Sequence, residues 1–170
     1  MSSRPSALSL SLRIARVADA RAISVLVRRV VRRWVLPDQP AKGVAFLLAG
    51  TGTKAIRQRI LIDQRFHLAY LGDVLVGVAA IRDDSHLFQL YVSTRYQRRG
   101  IARLLWRRVM RDSVRRAGTR RFTLNSSALA VPMYRQLGFV AMGPEQTSPD
   151  GIRSTPMQLI LASDSHLGML

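Results

Sequence analysis

The sequence contains no cysteine and is almost without lysine and glutamate. The absence of cysteine excludes a disulfide framework, a thiolate metal site and a cysteine nucleophile. Lysine occurs only at Lys42 and Lys54 and glutamate only at Glu145, so arginine and aspartate carry nearly all the charge. No apolar run is long enough for a membrane span, and the first residues lack the apolar region of a signal peptide. We therefore expect a cytoplasmic protein that does not enter a membrane.

The composition is that of one folded domain with a strongly positive charge. The chain has 170 residues, of which 48% are hydrophobic and 22% charged, which suits a single domain with a buried core. We place this domain at 1–170, with loose ends at about 1–7 and 162–170. The net charge of +17 attracts anions. This charge is compatible with several partners, namely coenzyme phosphates, RNA, an anionic surface or an acidic acceptor. It could equally result from an arginine-rich composition that has no function.

Apolar residues follow strand and helix periods in an alternating order. Strands are predicted at 8–14, 66–70, 74–80, 86–92, 121–125, 139–142 and 156–161. Helices are predicted after an N-cap at Asp19, around 44–48 and 56–62, from 101 to a C-cap at Gly118, and over 128–138. This order predicts an α/β fold with a mixed, mostly antiparallel sheet flanked by helices, since hairpins pair strands antiparallel and a crossover helix pairs them parallel.

The most informative stretch joins a buried strand to a helix through an arginine-rich turn. The apolar run at 86–92 predicts the strand, and apolar residues recur at helical spacing over 101–114. The first N–H groups of a helix lack partners and carry partial positive charge, and Gly100 lets an anion approach the backbone. The turn also carries three arginines, Arg98, Arg99 and Arg103. It therefore predicts a phosphate or pyrophosphate site, although an ordinary helix start with one glycine has the same spacing.

Two segments carry recognisable motifs in the same order and at a similar distance. Residues 97–102, Gln-Arg-Arg-Gly-Ile-Ala, have the pattern Q/R-x-x-G-x-G/A, and residues 130–139 have the pattern A-x-x-x-Y-x-x-L-G-F around Tyr134. Together they resemble the motifs of the Gcn5-related N-acetyltransferase (GNAT) family, and the resemblance covers roughly residues 75–140. It implies a seven-stranded sheet that opens between its fourth and fifth strands to admit a cofactor.

The resemblance also implies the identity of that cofactor. Acetyl-CoA would be the co-substrate, without a metal, and its pyrophosphate would lie on the arginine-rich turn. The cofactor-binding residues implied are Leu90, Tyr91 and Val92 on the strand, Gln97, Arg98, Arg99, Gly100, Ile101, Ala102 and Arg103 on the turn, and Ser127. Many family members carry asparagine at the position of Ser127. A serine hydroxyl can still donate a hydrogen bond there.

Two side chains are candidates for the catalytic roles. In the family, a tyrosine at the position of Tyr134 commonly protonates the departing thiolate, and a reference pKa of about 10 suits that role. Its alternative role is packing on a short helix.

The candidate for the base is His86. Several members place a glutamate eleven residues before the first motif position. His86 stands at that place here, and imidazole can also accept a proton near neutral pH. Asp83 or Asp84 acting through water, or no dedicated base, are the alternatives. Phe122 occupies the position of a fifth-strand glutamate that other members use, which excludes that mechanism.

The sequence thus predicts an N-acetyltransferase that moves the acetyl group directly from acetyl-CoA to an amine on a small molecule or a protein. Two other functions stay open, a basic module that binds RNA or another polyanion and a non-catalytic acetyl-CoA-binding protein. Nucleic acid is the less favoured partner, because the aromatic residues fall at core positions. No membrane partner is expected, and a homodimer is compatible with the sequence. A polycationic acceptor would be repelled unless acidic residues line its site. The acids to locate are Asp38, Asp63, Asp83 and Asp84.

Overall fold

The structure is a computed structural model that describes residues 9–162. The predicted loose ends therefore lie outside the described residues, apart from residue 162. The strands are β1 Leu10–Ile14, β2 Arg65–Leu71, β3 Val74–Arg82, β4 His86–Val92, β5 Arg121–Ser126, β6 Val140–Ala141, β7 Gln146–Thr147 and β8 Arg153–Ile160. The helices are α1 Ala20–Trp34, α2 Ala41–Gly50, α3 Thr53–Leu61, α4 Ile101–Ala117 and α5 Val131–Gln136.

The strands form one mixed sheet in the order β1-β2-β3-β4-β5-β8-β6, with β7 paired to β8 outside this path. All pairs are antiparallel except β4 with β5. The predicted α/β fold with a mostly antiparallel sheet flanked by helices is confirmed. The sheet has eight strands where seven were expected, because the segment between the predicted strands 139–142 and 156–161 contains the two-residue strand β7.

Helices cover both faces of the sheet and divide the core in two. On one face α1 and α3 bury apolar side chains such as Ile23, Val27 and Ile56 against β2 and β3, and the arginines of α1 lie on its outer side. On the other face α4 and α5 pack against the sheet. There the ring of Trp106 lies 5.0 Å from the rings of both Phe122 and Phe139.

The two halves of the sheet meet at a single pair of residues. Strand β4 pairs with β3 from His86 to Val92, whereas the parallel strands β4 and β5 pair only at His86 and Thr123. The backbone N–H of Thr123 also donates to the carbonyl of Ser85, at 2.9 Å. Beyond this point the two strands separate toward their carboxyl ends. We call this opening, between residues 87–92 and 124–126, the gap.

A bulge in β4 lies beside the gap. The register between β3 and β4 shifts between Ala80 and Ile81, which leaves Phe88 as the extra residue on β4. A bulge bends its strand and increases the local twist. The bend in β4 therefore occurs two residues after the only pair that joins β4 to β5.

One buried histidine makes the stability of this fold depend on pH. The side chain of His67 on β2 is 2% exposed, and its Nε2 lies 3.5 Å from an oxygen of Asp112 on α4. Burial lowers the pKa of His67 to about 4, although Asp112 opposes the shift. The unfolded chain would bind this proton below about pH 6.5, so the free energy of unfolding falls as pH drops from 6.5 to 4.

We predict that this histidine accounts for about 3 kcal/mol of the stability lost between pH 7 and pH 4. Urea denaturation of the wild type and of His67→Gln over this range measures the contribution as the difference between their two pH profiles. That difference removes the contribution of the carboxylates, which both proteins share. Parallel profiles would show that the pKa of His67 is the same in the folded and in the unfolded chain.

Candidate active site

The backbone of β4 presents free polar groups to the gap. Ser93 donates its backbone N–H to Val76 of β3, at 2.8 Å. Because peptide groups along a strand alternate in direction, those of Leu90 and Val92 point to the opposite edge. That edge faces the gap, where β5 provides no partner. Leu90 and the N–H of Val92 thus offer unpaired backbone groups to any extended ligand between β4 and β5.

The arginine turn, residues 97–103, lies directly above the open end of the gap. The side-chain amide of Gln97 donates to the carbonyl of Val92, at 3.1 Å, and so ties the turn to the end of β4. Arg98 and Gly100 both have positive φ, 64° and 77°. Such a conformation costs a non-glycine residue roughly 1 kcal/mol or more, and it explains the glycine at position 100. A Cβ built at Gly100 meets nothing within 4 Å, so space for a bulky anion exists over the backbone.

No carboxylate within residues 9–162 neutralises the charge of the turn. Arg98, Arg99 and Arg103 are exposed or nearly so, and none forms an ion pair with a carboxylate within residues 9–162. The guanidinium of Arg99 rests on the ring of Tyr96, 5.3 Å from its centroid. Gly100 is the N-cap of α4, so the free N–H groups of Ile101, Ala102 and Arg103 point toward the same space. The turn has the chemistry of a phosphate site.

Tyr134 lies in the core beside the gap and keeps its proton. It belongs to α5, is 8% exposed, and packs edge-on against Phe139 with the ring centroids 5.9 Å apart. Burial raises the pKa of Tyr134, and the nearby hydroxyl of Tyr91 acts in the same direction. Burial also raises the pKa of Tyr91 to about 12, against the influence of Arg59. Both phenols therefore keep their protons at neutral pH, and Tyr134 packs in the core in the protonation state that a general acid requires.

His86 lies at the closed end of the gap, at the one residue pair that joins β4 to β5. Its Nδ1 is 2.8 Å from the hydroxyl of Thr123. Burial lowers the pKa of His86, Arg82 adds to this effect, and Asp83 opposes it. The imidazole is therefore neutral at pH 7 and able to accept a proton. Thr123, which orients the ring, had no signal in the sequence.

Ser127 follows β5 on the opposite side of the gap. Its backbone carbonyl accepts the hydroxyl of Ser126, at 2.7 Å, and the N–H of Ala130, at 3.1 Å. Its own hydroxyl makes no hydrogen bond within residues 9–162. Asn125, the neighbouring candidate, is exposed. The hydroxyl of Ser127 is thus available to a ligand, in a loop that the backbone holds.

The acidic residues singled out from the sequence are not grouped around the gap. Asp84 lies 3.5 Å from Arg116 of α4, and its carbonyl accepts the hydroxyl of Thr119. Asp38 and Asp63 are exposed at helix ends. Of the four, only Asp83 influences a candidate catalytic residue, through its effect on the pKa of His86.

Two further properties concern metals and membranes. Among residues 9–162, no three side chains of histidine, aspartate or glutamate come close enough to hold a metal ion. In the same range, no helix has both the length and the apolar character needed to cross a membrane.

Comparison with known proteins agrees with this architecture. No curated protein matches the sequence. Among solved structures, the fold is similar to that of a GCN5-related N-acetyltransferase from Rhodopseudomonas palustris, with a TM-score of 0.75, 21% identity, and 89% of this chain and 95% of that chain covered. PaiA N-acetyltransferase from Thermoplasma acidophilum, solved with coenzyme A, has a TM-score of 0.73 at 15% identity over 89% and 99% of the two chains. The yncA protein from Salmonella typhimurium, solved with acetyl-CoA, has a TM-score of 0.63 at 21% identity over 91% and 95%.

At such identities these structures show a shared fold, and the family follows from the sequence itself. The sequence pattern of the acetyltransferase (GNAT) domain matches residues 35–161, well over half of the chain. This range contains β4, the gap and the arginine turn. The chain belongs to the acetyltransferase (GNAT) domain family.

Proposed function

We propose that this acetyltransferase moves the acetyl group directly from acetyl-CoA to an amine, as a single domain over 1–170 acting in the cytoplasm. The observation that carries the proposal is the gap. Strands β4 and β5 pair only at His86 and Thr123, and beyond that pair a free backbone edge, a cationic helix start and a buried phenol border the same opening. A thioester and an amine can meet there away from bulk water.

The residues around the gap fit the parts of acetyl-CoA. The pyrophosphate would bind the arginine turn, where unpaired guanidinium groups and the N-terminus of α4 combine. The amides of the pantetheine would pair with the free edge of β4 at Leu90 and Val92, as an added strand does. The hydroxyl of Ser127 would donate a hydrogen bond from the β5 side. Tyr91 would hold this edge in place without contacting the pantetheine through its backbone, because its peptide groups point to β3 and its side chain packs against α1 and α3.

The chemistry needs a neutral amine, a stabilised oxyanion and a protonated leaving group. Acetyl-CoA supplies an activated acetyl group on a thioester. The neutral imidazole of His86 would take the proton that the attacking amine loses when the C–N bond forms. Backbone N–H groups on the free edge of β4 would stabilise the negative charge on the carbonyl oxygen. Tyr134 would give its proton to the sulfur as the C–S bond breaks.

The first prediction concerns the pyrophosphate site. Arg103→Glu places negative charge where the phosphates would lie, so the Kd for acetyl-CoA should rise at least about 10-fold. Arg115→Glu makes the same change of net charge at the far end of α4 and should leave Kd nearly unchanged. Calorimetric titration of both variants, at low and moderate salt, separates local contact from the general attraction of the +17 charge. Equal losses in the two variants would assign the affinity to the general field, and tight RNA binding without turnover would favour the polyanion-binding alternative.

The second prediction concerns the proposed acid. Tyr134→Phe keeps the ring and its contact with Phe139 but removes the proton, so kcat should fall by about 10²- to 10⁴-fold while the Kd for acetyl-CoA stays constant. Because burial raises the pKa of Tyr134, this residue should produce no loss of wild-type activity up to about pH 10. Steady-state rates together with a pre-steady-state burst measurement test this. A variant with the wild-type kcat and no burst would show that Tyr134 only packs.

The third prediction concerns the proposed base. Since burial and Arg82 lower the pKa of His86, kcat/KM of the wild type should show an acidic limb below about pH 6.5. His86→Gln keeps a hydrogen-bonding group for Thr123 but cannot accept the proton, so this limb should disappear and the rate at pH 7 should drop. Ionisation of the amine acceptor affects both proteins equally at higher pH. If the variant retains both its rate and the limb, Asp83 or Asp84 through water, or no dedicated base, would fill the role.

A further inference from the structure

The face of β4 opposite α4 and α5 carries a half-buried arginine. Arg59 extends from α3, and its Nη1 donates to the carbonyl of Gly50 at the end of α2, at 2.6 Å. Its guanidinium carbon lies 5.5 Å from the ring centroid of Phe88. Phe88 is the bulged residue of β4. The guanidinium is therefore next to the gap, on the face of the sheet opposite α4.

This guanidinium also lies near Tyr91 of β4. Its charge opposes the rise in the pKa of Tyr91 that burial causes. Tyr91 and Phe88 pack on the same face of the sheet as α1 and α3. Since the pyrophosphate and the pantetheine would occupy the arginine turn and the edge of β4, this face is the one left for the acceptor.

Chain segments on both sides of the gap approach each other across this face. The ammonium of Lys42 donates to the carbonyl of Pro149, at 2.7 Å. The side chain of Gln39 donates to the carbonyl of Arg153 and accepts its N–H, at 2.9 and 2.8 Å. These bonds join the start of α2 to β8, the strand beyond β5. An acceptor bound near Arg59 would lie behind them.

Nothing in residues 9–162 neutralises Arg59. No carboxylate of these residues lies within ion-pair distance of Arg59, and the charged side chain that acts on its pKa is Arg82, a second cation. Burial lowers the pKa of Arg59, and Arg82 adds to this effect. A partly buried cation without a counter-charge is costly, and a bound anion removes part of that cost.

Capping of α2 accounts for only part of this arrangement. A cation at the C-terminus of a helix interacts favourably with the last carbonyls, which explains the bond to Gly50. That bond uses one of the five N–H donors of the guanidinium. It does not explain why the guanidinium lies against Phe88 and under the influence of Arg82. It also does not explain why no carboxylate of residues 9–162 pairs with the remaining donors.

We infer that the acceptor is an amine that also carries a carboxylate, and that Arg59 binds this carboxylate while the amine reaches the gap. The inference rests on the proposed acetyl transfer and names its substrate class. A guanidinium binds a carboxylate through two parallel hydrogen bonds, which fixes the orientation of the ligand. A polyamine, by contrast, would meet two arginines and no grouped carboxylates.

Matched acceptors test the inference on the intact enzyme. Leucine and 3-methylbutylamine differ by the carboxylate alone, phenylalanine and 2-phenylethylamine form a second such pair, and spermidine represents the polyamines. Apolar side chains are chosen because Phe88 lies beside the guanidinium. With acetyl-CoA-dependent thiol release as the readout, kcat/KM should favour each amino acid over its amine at least about 10-fold, consistent with a hydrogen bond to a charged group.

Two variants of α3 assign that preference to one side chain. Arg59→Gln can still donate to Gly50 but has no charge, so the preference for the amino acid should fall by about 10- to 100-fold, mainly through KM. The rate with 3-methylbutylamine should change little. Arg57→Gln, on the exposed side of the same helix, is the control and should keep the preference.

A second measurement on the wild type covers the case in which Arg59→Gln does not fold. The acid 4-methylpentanoate, which has the carboxylate without the amine, should inhibit competitively against leucine, and 4-methylpentanamide should inhibit far less. Three results would overturn the inference while leaving acetyl transfer intact. They are equal inhibition by the acid and the amide, a preference for leucine over 3-methylbutylamine that survives Arg59→Gln, and a higher turnover of spermidine than of the amino acids. Absence of transfer to every amine in the panel would overturn the proposed function and this inference with it.

Discussion

The pairing of His86 with Thr123 is the constraint on which the rest of the site depends. A parallel pair of strands needs a long crossover, and α4 provides it between β4 and β5. If the two strands paired along their full length, the sheet would be continuous and no ligand could reach its interior. With one pair only, the sheet still forms a single structure, and the edge of β4 becomes a binding surface. The bulge at Phe88 bends β4 beside this separation, and the turn that begins at Gln97 follows the end of the strand.

The sequence predicted strand bounds and helix ends well, because the hydrophobic period and the glycines of nearby residues determine them. The bounds of β4, His86–Val92, agree with the predicted 86–92, since an apolar run between polar turns has few alternatives. The turn before it forms as expected, with Asp83 and Asp84 both at positive φ. Gly118 is the left-handed C-cap of α4, with φ 66°. The arginine turn was found through its motif, and its positive φ angles explain why glycine is needed there.

Features that depend on distant residues could not be predicted in the same way. Asp19 stands at the N-cap of α1, but its carboxylate bonds to Arg13 at 2.8 Å and to the N–H of Arg16 at 2.7 Å instead of to the helix. An arginine from β1 competes for it, and only the fold brings the two together. The single pair between β4 and β5 is likewise a tertiary property, as is the position of Arg59, which belongs to no motif. The sequence therefore pointed to residues for a cofactor and gave no signal for Arg59.

The bonds between the start of α2 and the loop before β8 have a consequence for selectivity. One end of the gap is closed by a strand pair, and on the face that carries α3 the side chain of Gln39 joins the segment before α2 to Arg153 at the start of β8. An opening fixed at these two places behaves as a slot of set width rather than as a hinge. The largest acceptor that can enter then depends on the two hydrogen bonds between the side chain of Gln39 and the backbone of Arg153, which substitutions of the other lining side chains do not alter. A relative that carried a different residue in place of Gln39 would have a wider entrance with unchanged catalytic groups, and so would differ in the size of its substrates before it differed in its chemistry.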